Sequence, residues 1–189
     1  MNVLLIKIYK MVLLRKFNPE IHHRRSIRLK GFDYSRPGYY FFTICTKGRE
    51  NIFWEIINKR VQLSNLGKIL EITWLDLPNH NSNILLDAFV IMPDHFHGII
   101  RIIKKEISVG AGSEPVPTEP TPTINHPLSE IIRQLKTFSA RRINERWKTT
   151  GISVWQRDYY ESMIRNASML KNIRKYIKNN PLNFENEVS

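Results

Sequence analysis

ILLDAFVIMPDHFHGIIRII, residues 84–103, holds two apolar runs on either side of a Pro-Asp break. Ile84–Met92 and Phe96–Ile103 each have the length and composition of a strand. Pro93-Asp94 has the residue chemistry of a tight turn, so the stretch predicts two neighbouring antiparallel strands. Side chains alternate faces along a strand. His95 and His97 therefore point the same way, with Cα atoms about 6 to 7 Å apart, while Phe96 points into the core. By the same alternation Asp94 is expected to face away from the pair.

Upstream, Gly38–Thr46 contains Tyr-Tyr-Phe-Phe-Thr-Ile-Cys between Pro37 and Lys47-Gly48, an aromatic and β-branched run that predicts a buried strand. Val61, Leu63, Leu66, Ile69, Leu70, Ile72 and Trp74 recur at roughly helical spacing until Pro78, which predicts an amphipathic helix packed on that strand. Downstream, residues 106–127 carry five of the ten prolines together with Gly110-Ala111-Gly112 and read as a flexible insert. Leu128, Ile131, Ile132, Leu135, Phe138, Ile143 and Trp147 restore a helical stripe. Val154–Ile164 reads as a last strand. Asn166 is placed to cap a final helix that Pro181 is expected to stop. The order predicts an α+β, ferredoxin-like fold: a βαββαβ antiparallel sheet with helices on one face, plus a C-terminal helix carrying Tyr176. Residues 1–30 form a basic N-terminal extension, 31–183 the domain proper and 184–189 a tail.

The 189 residues suffice for one domain with a core. Lys and Arg number 29 against 17 Asp and Glu, a formal charge of +12, while 42% of residues are hydrophobic. That balance excludes a disordered polycation and favours a polyanionic partner such as nucleic acid. The one cysteine, Cys45, cannot form an internal disulfide and reads as a small core residue in a cytoplasmic protein. Val3–Leu14 is apolar but broken by Lys7 and Lys10, so neither a signal peptide nor a membrane span is expected; with Met11 inside the stretch, the first ten residues read either as an alternative start or as a loosely docked amphipathic segment.

Two imidazoles on one strand face can grip one metal ion. A structural zinc site wants four N or S ligands, which a chain with one cysteine and no second pair does not offer, so zinc is disfavoured. His22, His23, His80 and His126 fall in expected loops, where solvated histidines are ordinary. Two imidazoles plus an amide or carboxylate oxygen, with positions open for phosphate oxygens, suit magnesium or manganese acting as a Lewis acid. Residues four apart share a helix face, so Tyr176 and Asn180 can be presented together, the Asn180 amide oxygen completing the metal shell. Tyr159 and Tyr160 are the rival tyrosines for this site, but on a strand they point to opposite faces and at most one can address it.

Four ordered stretches then amount to a family pattern: residues 22–31 (HHRRSIRLKG), Met92–His97, Trp155–Glu161 (WQRDYYE) and Tyr176–Pro181. Across roughly His22–Asn183 the chain resembles the IS200-like, single-tyrosine HUH transposases (His, hydrophobic residue, His), and within them the REP-associated tyrosine transposases. The resemblance implies a ferredoxin-like domain with metal ligands at His95, His97 and Asn180 and a nucleophile at Tyr176. Many insertion-sequence relatives carry Gln where this chain has Asn180; Asn followed by Pro181 is more similar to the REP-associated branch.

The mechanism so implied is transesterification on single-stranded DNA near hairpins, leaving a 5′-phosphotyrosine and a free 3′-hydroxyl. Arg24, Arg25, Arg28 and Lys30, and Arg133, Lys136, Arg141 and Arg142, are the candidates for following the DNA backbone. Monomer and homodimer both remain open. A non-catalytic ferredoxin-like nucleic-acid-binding protein is the alternative, but it has no need of His95, His97 and Asn180. A water-activating metal hydrolase is a second.

Overall fold

The computed structural model describes residues 33–57, 60–104 and 126–188. The strands are β1 (Gly38–Cys45), β2 (Trp54–Ile57), β3 (Arg60–Leu63), β4 (Ile84–Met92), β5 (His95–Ile102) and β6 (Tyr160–Ile164). The helices are α1 (Asn65–His80), α2 (Leu128–Trp147) and α3 (Ala167–Val188). Four strands form one antiparallel sheet in the order β4-β5-β1-β6, with β2 and β3 as a separate hairpin. Without that hairpin the path is β1-α1-β4-β5-α2-β6, which is the ferredoxin-like topology. No described helix is long and apolar enough to cross a membrane.

The alternation of β5 and β1 divides the core in two. Phe42, Ile44, Phe96, Ile100 and Ile102 pack against Leu70, Trp74 and Leu77 of α1 and Ile131, Ile132, Leu135 and Ile143 of α2. Phe41, Val90, Met92 and Ile99 meet Ile173 and Ile177 of α3 on the opposite face. Thus α1 and α2 share one face as expected, and the C-terminal helix covers the other. Ion pairing fixes its angle: Arg174 Nε and NH2 bond Asp87 Oδ1 and Oδ2 at 2.8 and 2.5 Å, tying α3 to β4. The expected cap is present, with Met169 N donating to Asn166 Oδ1 at 2.8 Å.

The expected helix over Val61–Trp74 is corrected at its start. Val61 and Leu63 are two apart and belong to β3, paired with Ile56 and Trp54. Ser64 ends the hairpin and caps α1, accepting from Gly67 N at 3.1 Å while its hydroxyl donates to Ile52 O at 2.7 Å. Helical spacing and strand alternation coincide over so short a run, and the cap is what separates them. The expected strand Val154–Ile164 shrinks to β6. Trp155 makes only an isolated bridge to Thr46, and Lys136 Nζ draws the carbonyls of Gln156 and Arg157 out of the ladder at 2.5 and 2.9 Å. Pro181 does not stop α3, which runs on to Val188 through the expected tail. A proline removes one N–H donor, but its fixed φ is compatible with a helix.

Residues 1–30 and most of the 106–127 insert lie outside the described residues. Of the insert, Pro127 sits at the N-cap of α2 and His126 O accepts from Asn83 Nδ2 at 3.1 Å.

Gly98, next to the histidines, permits the aromatic packing behind them. A Cβ there would stand 2.7 Å from Phe96 Cε1, 3.0 Å from Trp74 Cη2 and 3.1 Å from Phe42 Cε1. These rings are interlocked in the core and cannot swing aside. Gly98→Ala should cost about 1–3 kcal/mol of stability by overpacking, read as a lower urea midpoint at unchanged slope.

Candidate active site

His95 and His97 point to the α3 face of the sheet, as alternation requires, and both are buried. Their Nε2 atoms oppose one another at 3.1 Å. Each ring is held from behind through Nδ1. Asp94 Oδ1 accepts from His95 Nδ1 at 2.5 Å, and Thr43, the cross-strand partner of His97 on β1, places Oγ1 2.7 Å from His97 Nδ1. Asp94 therefore does not face away from the pair. The Pro93-Asp94 turn lies outside the ladder, so strand alternation does not govern its side chain.

The turn itself is clamped. Thr46 N and Oγ1 donate to Asp94 O at 2.9 and 3.0 Å, and Ile52 N and Phe53 N donate to Pro93 O at 3.0 and 3.1 Å. Arg49 Nε lies 2.7 Å from Asp94 Oδ2, holding the second carboxylate oxygen while the first holds His95. Its NH1 also donates to Cys45 Sγ at 2.8 Å. Cys45 is half-buried beside this network, and burial pushes its thiol pKa up.

With a proton on each Nδ1, directed at Asp94 and Thr43, the two Nε2 atoms present lone pairs to each other. Two such lone pairs repel unless a proton or cation lies between them. Neighbouring ligands on an octahedral ion with bonds of about 2.1 Å stand about 3 Å apart, so the donor spacing fits a divalent ion. His97 is fully buried, and burial first, then the nearby charges of His95 and Arg49, hold its pKa well below the ordinary 6.5. A neutral imidazole is the form that binds metal.

Tyr176 completes the direct contacts. Its hydroxyl lies 3.1 Å from His97 Nε2, and its ring packs edge-on to Phe41 at 6.4 Å between centroids. Asn180, one turn further along α3, is buried, and among the described residues its Nδ2 has no hydrogen-bond partner. A buried amide with one end unsatisfied has a donor or acceptor to spare, according to its flip. No group of three or more His, Cys, Asp and Glu side chains is arranged for a metal among the described residues. The structure thus joins His95, His97 and Tyr176 by contact and adds Asn180 by helix register.

The rival tyrosines separate as expected. Tyr160 packs on the histidine side against Phe41, while Tyr159 packs with the α1–α2 core. The phenol in contact with His97 is that of Tyr176.

The basic candidates divide differently. Arg24, Arg25, Arg28 and Lys30 lie outside the described residues. Arg133, Lys136, Arg141 and Arg142 are on α2, across the sheet from the histidines. Arg133 and Arg141 are exposed and paired with Glu130 and Glu145 on their own helix. Arg142 binds Thr73 Oγ1 and Asp76 Oδ2, both at 2.9 Å, and pulls the Asp76 pKa down to about 2. Lys136 is spent on the Gln156 and Arg157 carbonyls. Thr43 and Arg49 escaped the sequence reading. Thr43 needs the strand register to be found, and Arg49 needs the path of the loop after β1.

An antiparallel ferredoxin-like sheet that opposes two histidines to a tyrosine on a C-terminal helix defines a His-hydrophobic-His, single-tyrosine class of protein. The model of the family "Transposase IS200 like" matches residues 121–180, a span that includes Tyr176 and Asn180. An uncharacterised protein of Haemophilus influenzae is 38% identical over 180 residues, covering 91% of this chain and 96% of that protein. A solved REP-associated tyrosine transposase bound to a REP hairpin has the same fold, with a TM-score of 0.57 at 16% identity, over 85% of this chain and 74% of that one. Over residues 121–180 the chain is thus similar to the IS200-like transposase family.

The burial of His97 makes a prediction for the metal-free protein. Its folded pKa is depressed, so between that value and the ordinary 6.5 the unfolded chain binds more protons. In EDTA, stability should be full above 6.5 and fall as pH drops below it. Urea unfolding across that range should show the slope, and His97→Gln should flatten it.

Proposed function

We propose that this protein is a divalent-metal-dependent endonuclease and strand transferase for single-stranded DNA beside hairpins, of the REP-associated branch of the IS200-like transposases. The observation that carries the reading is the opposed pair of Nε2 atoms at 3.1 Å, with the Tyr176 hydroxyl 3.1 Å from one of them. His95, His97 and Asn180 would hold magnesium or manganese; the ion, when bound, polarises the scissile phosphate as a Lewis acid. The spare amide end of Asn180 supports its part in this set. Asn180-Pro181 supports the branch.

The chemistry assigned to the chain itself is compact. The Tyr176 oxygen attacks phosphorus, the bond to the 3′-oxygen breaks, and the phenol proton is balanced by the proton gained at the leaving 3′-hydroxyl. The product is a 5′-phosphotyrosine, whose phosphodiester energy is retained for rejoining. Phe41 and His97 hold the phenol ring, and the Arg174–Asp87 pair two residues earlier fixes the turn of α3 that presents it. Lys175 and Lys178, both exposed on the helix that carries Tyr176, are the phosphate contacts assigned here. Lys136 and Arg142 serve the fold instead, since their charged heads are already engaged.

Wild-type protein incubated with single-stranded hairpin DNA and manganese should give a covalent adduct that survives a denaturing gel. Tyr176→Phe should abolish it and Tyr160→Phe should not. Cleavage that persists in Tyr176→Phe defeats the proposal.

Asp94→Ala and Thr43→Val test the supports of the two imidazoles. Each should weaken manganese binding by roughly 10- to 100-fold in calorimetry, because partners at Nδ1 orient a metal-binding imidazole and raise its basicity.

A further inference from the structure

Arg49 lies in the loop between β1 and β2, outside every strand ladder. Its backbone is left-handed, with φ +61°, directly after Gly48 at φ +69°. Glycine enters that region freely, but in any other residue the Cβ crowds the following carbonyl oxygen, so the chain carries strain at Arg49. Such strain persists where the surroundings over-determine it, and it gathers at functional sites.

What the strained residue delivers is the direction of its guanidinium. Nε lies 2.7 Å from Asp94 Oδ2 in the β4–β5 turn, and Nη1 donates to Cys45 Sγ at 2.8 Å at the end of β1. The two anchors frame one imidazole. Cys45 is the cross-strand partner of His95, and Asp94 Oδ1 accepts from His95 Nδ1 at 2.5 Å. The backbone bonds to Pro93 O and Asp94 O fix the main chain of the turn but leave the carboxylate torsion open, and that torsion is a soft one. A rigid planar fork held at Nε and Nη1 closes it.

We propose that Arg49 is a positioning residue for the histidine pair: its left-handed backbone aims the guanidinium at Asp94, and the carboxylate so fixed holds the His95 imidazole with Nε2 towards His97. The proposal rests on the reading of His95 and His97 as metal ligands. Fold stability is given up at Arg49 for the orientation of His95, so removing the side chain moves stability and metal affinity in opposite directions.

Arg49→Gly separates the two, since glycine keeps the left-handed backbone without the clash and lacks the guanidinium. The Arg49 side chain is 30% exposed, and a partly exposed ion pair contributes little to folding. The urea midpoint in EDTA should therefore stay level or rise. Manganese affinity in calorimetry should fall about tenfold, the scale of losing a group that orients a metal-binding imidazole. In an Asp94→Ala background the same substitution should cause no further loss, as a residue acting through Asp94 requires. In EDTA, the proton NMR signal of the hydrogen-bonded His95 Nδ1–H should move upfield in Arg49→Gly. Unchanged manganese affinity, a loss that adds in full to that of Asp94→Ala, a lowered urea midpoint or an unmoved His95 proton overturns the proposal. If manganese binds the wild type and one of these is found, the metal reading stands and only the role of Arg49 falls. If the wild type binds no manganese while the His95 proton moves and the midpoint holds, the metal reading falls and the positioning of His95 by Arg49 stands.

Discussion

Strand β5 lies between β1 and β4, hydrogen-bonded on both edges, and the register of those two ladders sets nearly every distance that matters here. A one-residue slip would exchange its faces, sending His95 and His97 into the aromatic core and Phe96 out towards α3. The packing forbids this. Phe96 is enclosed by Phe42, Trp74 and Phe89, and Gly98 leaves no room for a larger side chain at its position. The core behind the strand thus determines what the strand presents in front. Overpacking that core would disturb the site without altering any residue of it.

Register alone brings the imidazoles together but does not aim them. Their orientation comes from two separate elements, Thr43 across the ladder and Asp94 in the turn, and Asp94 is itself gripped by Arg49 and by the backbone at Thr46. A ring held at Nδ1 has its Nε2 direction and tautomer fixed at once. The short loop after β1, which supplies Thr46 and Arg49, therefore belongs to the site. The same loop end receives Val154 and Gln156 through backbone bonds, so the segment leading into β6 is fastened to the histidine end of the sheet.

How legible this was in the sequence depended on the range of the interaction. The co-facial histidines, the span of α2, the Asn166 cap and the pairing of Tyr176 with Asn180 follow from period and local chemistry, which a sequence displays directly. Val61 and Leu63 were misassigned because a four-residue strand and one helical turn share apolar spacing, and the deciding bond, Ser64 N to Phe53 O at 2.9 Å, links residues far apart in chain order. Pro181 misled because its rule concerns one hydrogen bond, whereas a helix end is set by all of them. Lys136 and Arg142 read as candidates for following a DNA backbone. Their partners, the Gln156 carbonyl and Asp76, lie on other elements and are invisible to periodicity.

The two faces of the sheet are not equally sealed, and Tyr176 rides on the lighter one. From the described residues, α3 buries Ile173 and Ile177, and at about 1.5–3 kcal/mol for each fully buried side chain that is roughly 3–6 kcal/mol of apolar docking. To this it adds the Arg174–Asp87 pair, whose Arg is half exposed and whose net contribution is of the order of 1 kcal/mol. On the other face α1 and α2 bury a longer series of large side chains, Trp74 among them. A sheet that must hold two imidazoles to within tenths of an ångström needs that heavier packing behind it. On the proposed function, a helix that carries a tyrosine to a bulky polymeric substrate, and stays joined to it through a covalent intermediate, is better served by shallow docking. The division of the core thus follows the division of chemical labour between β5 and α3.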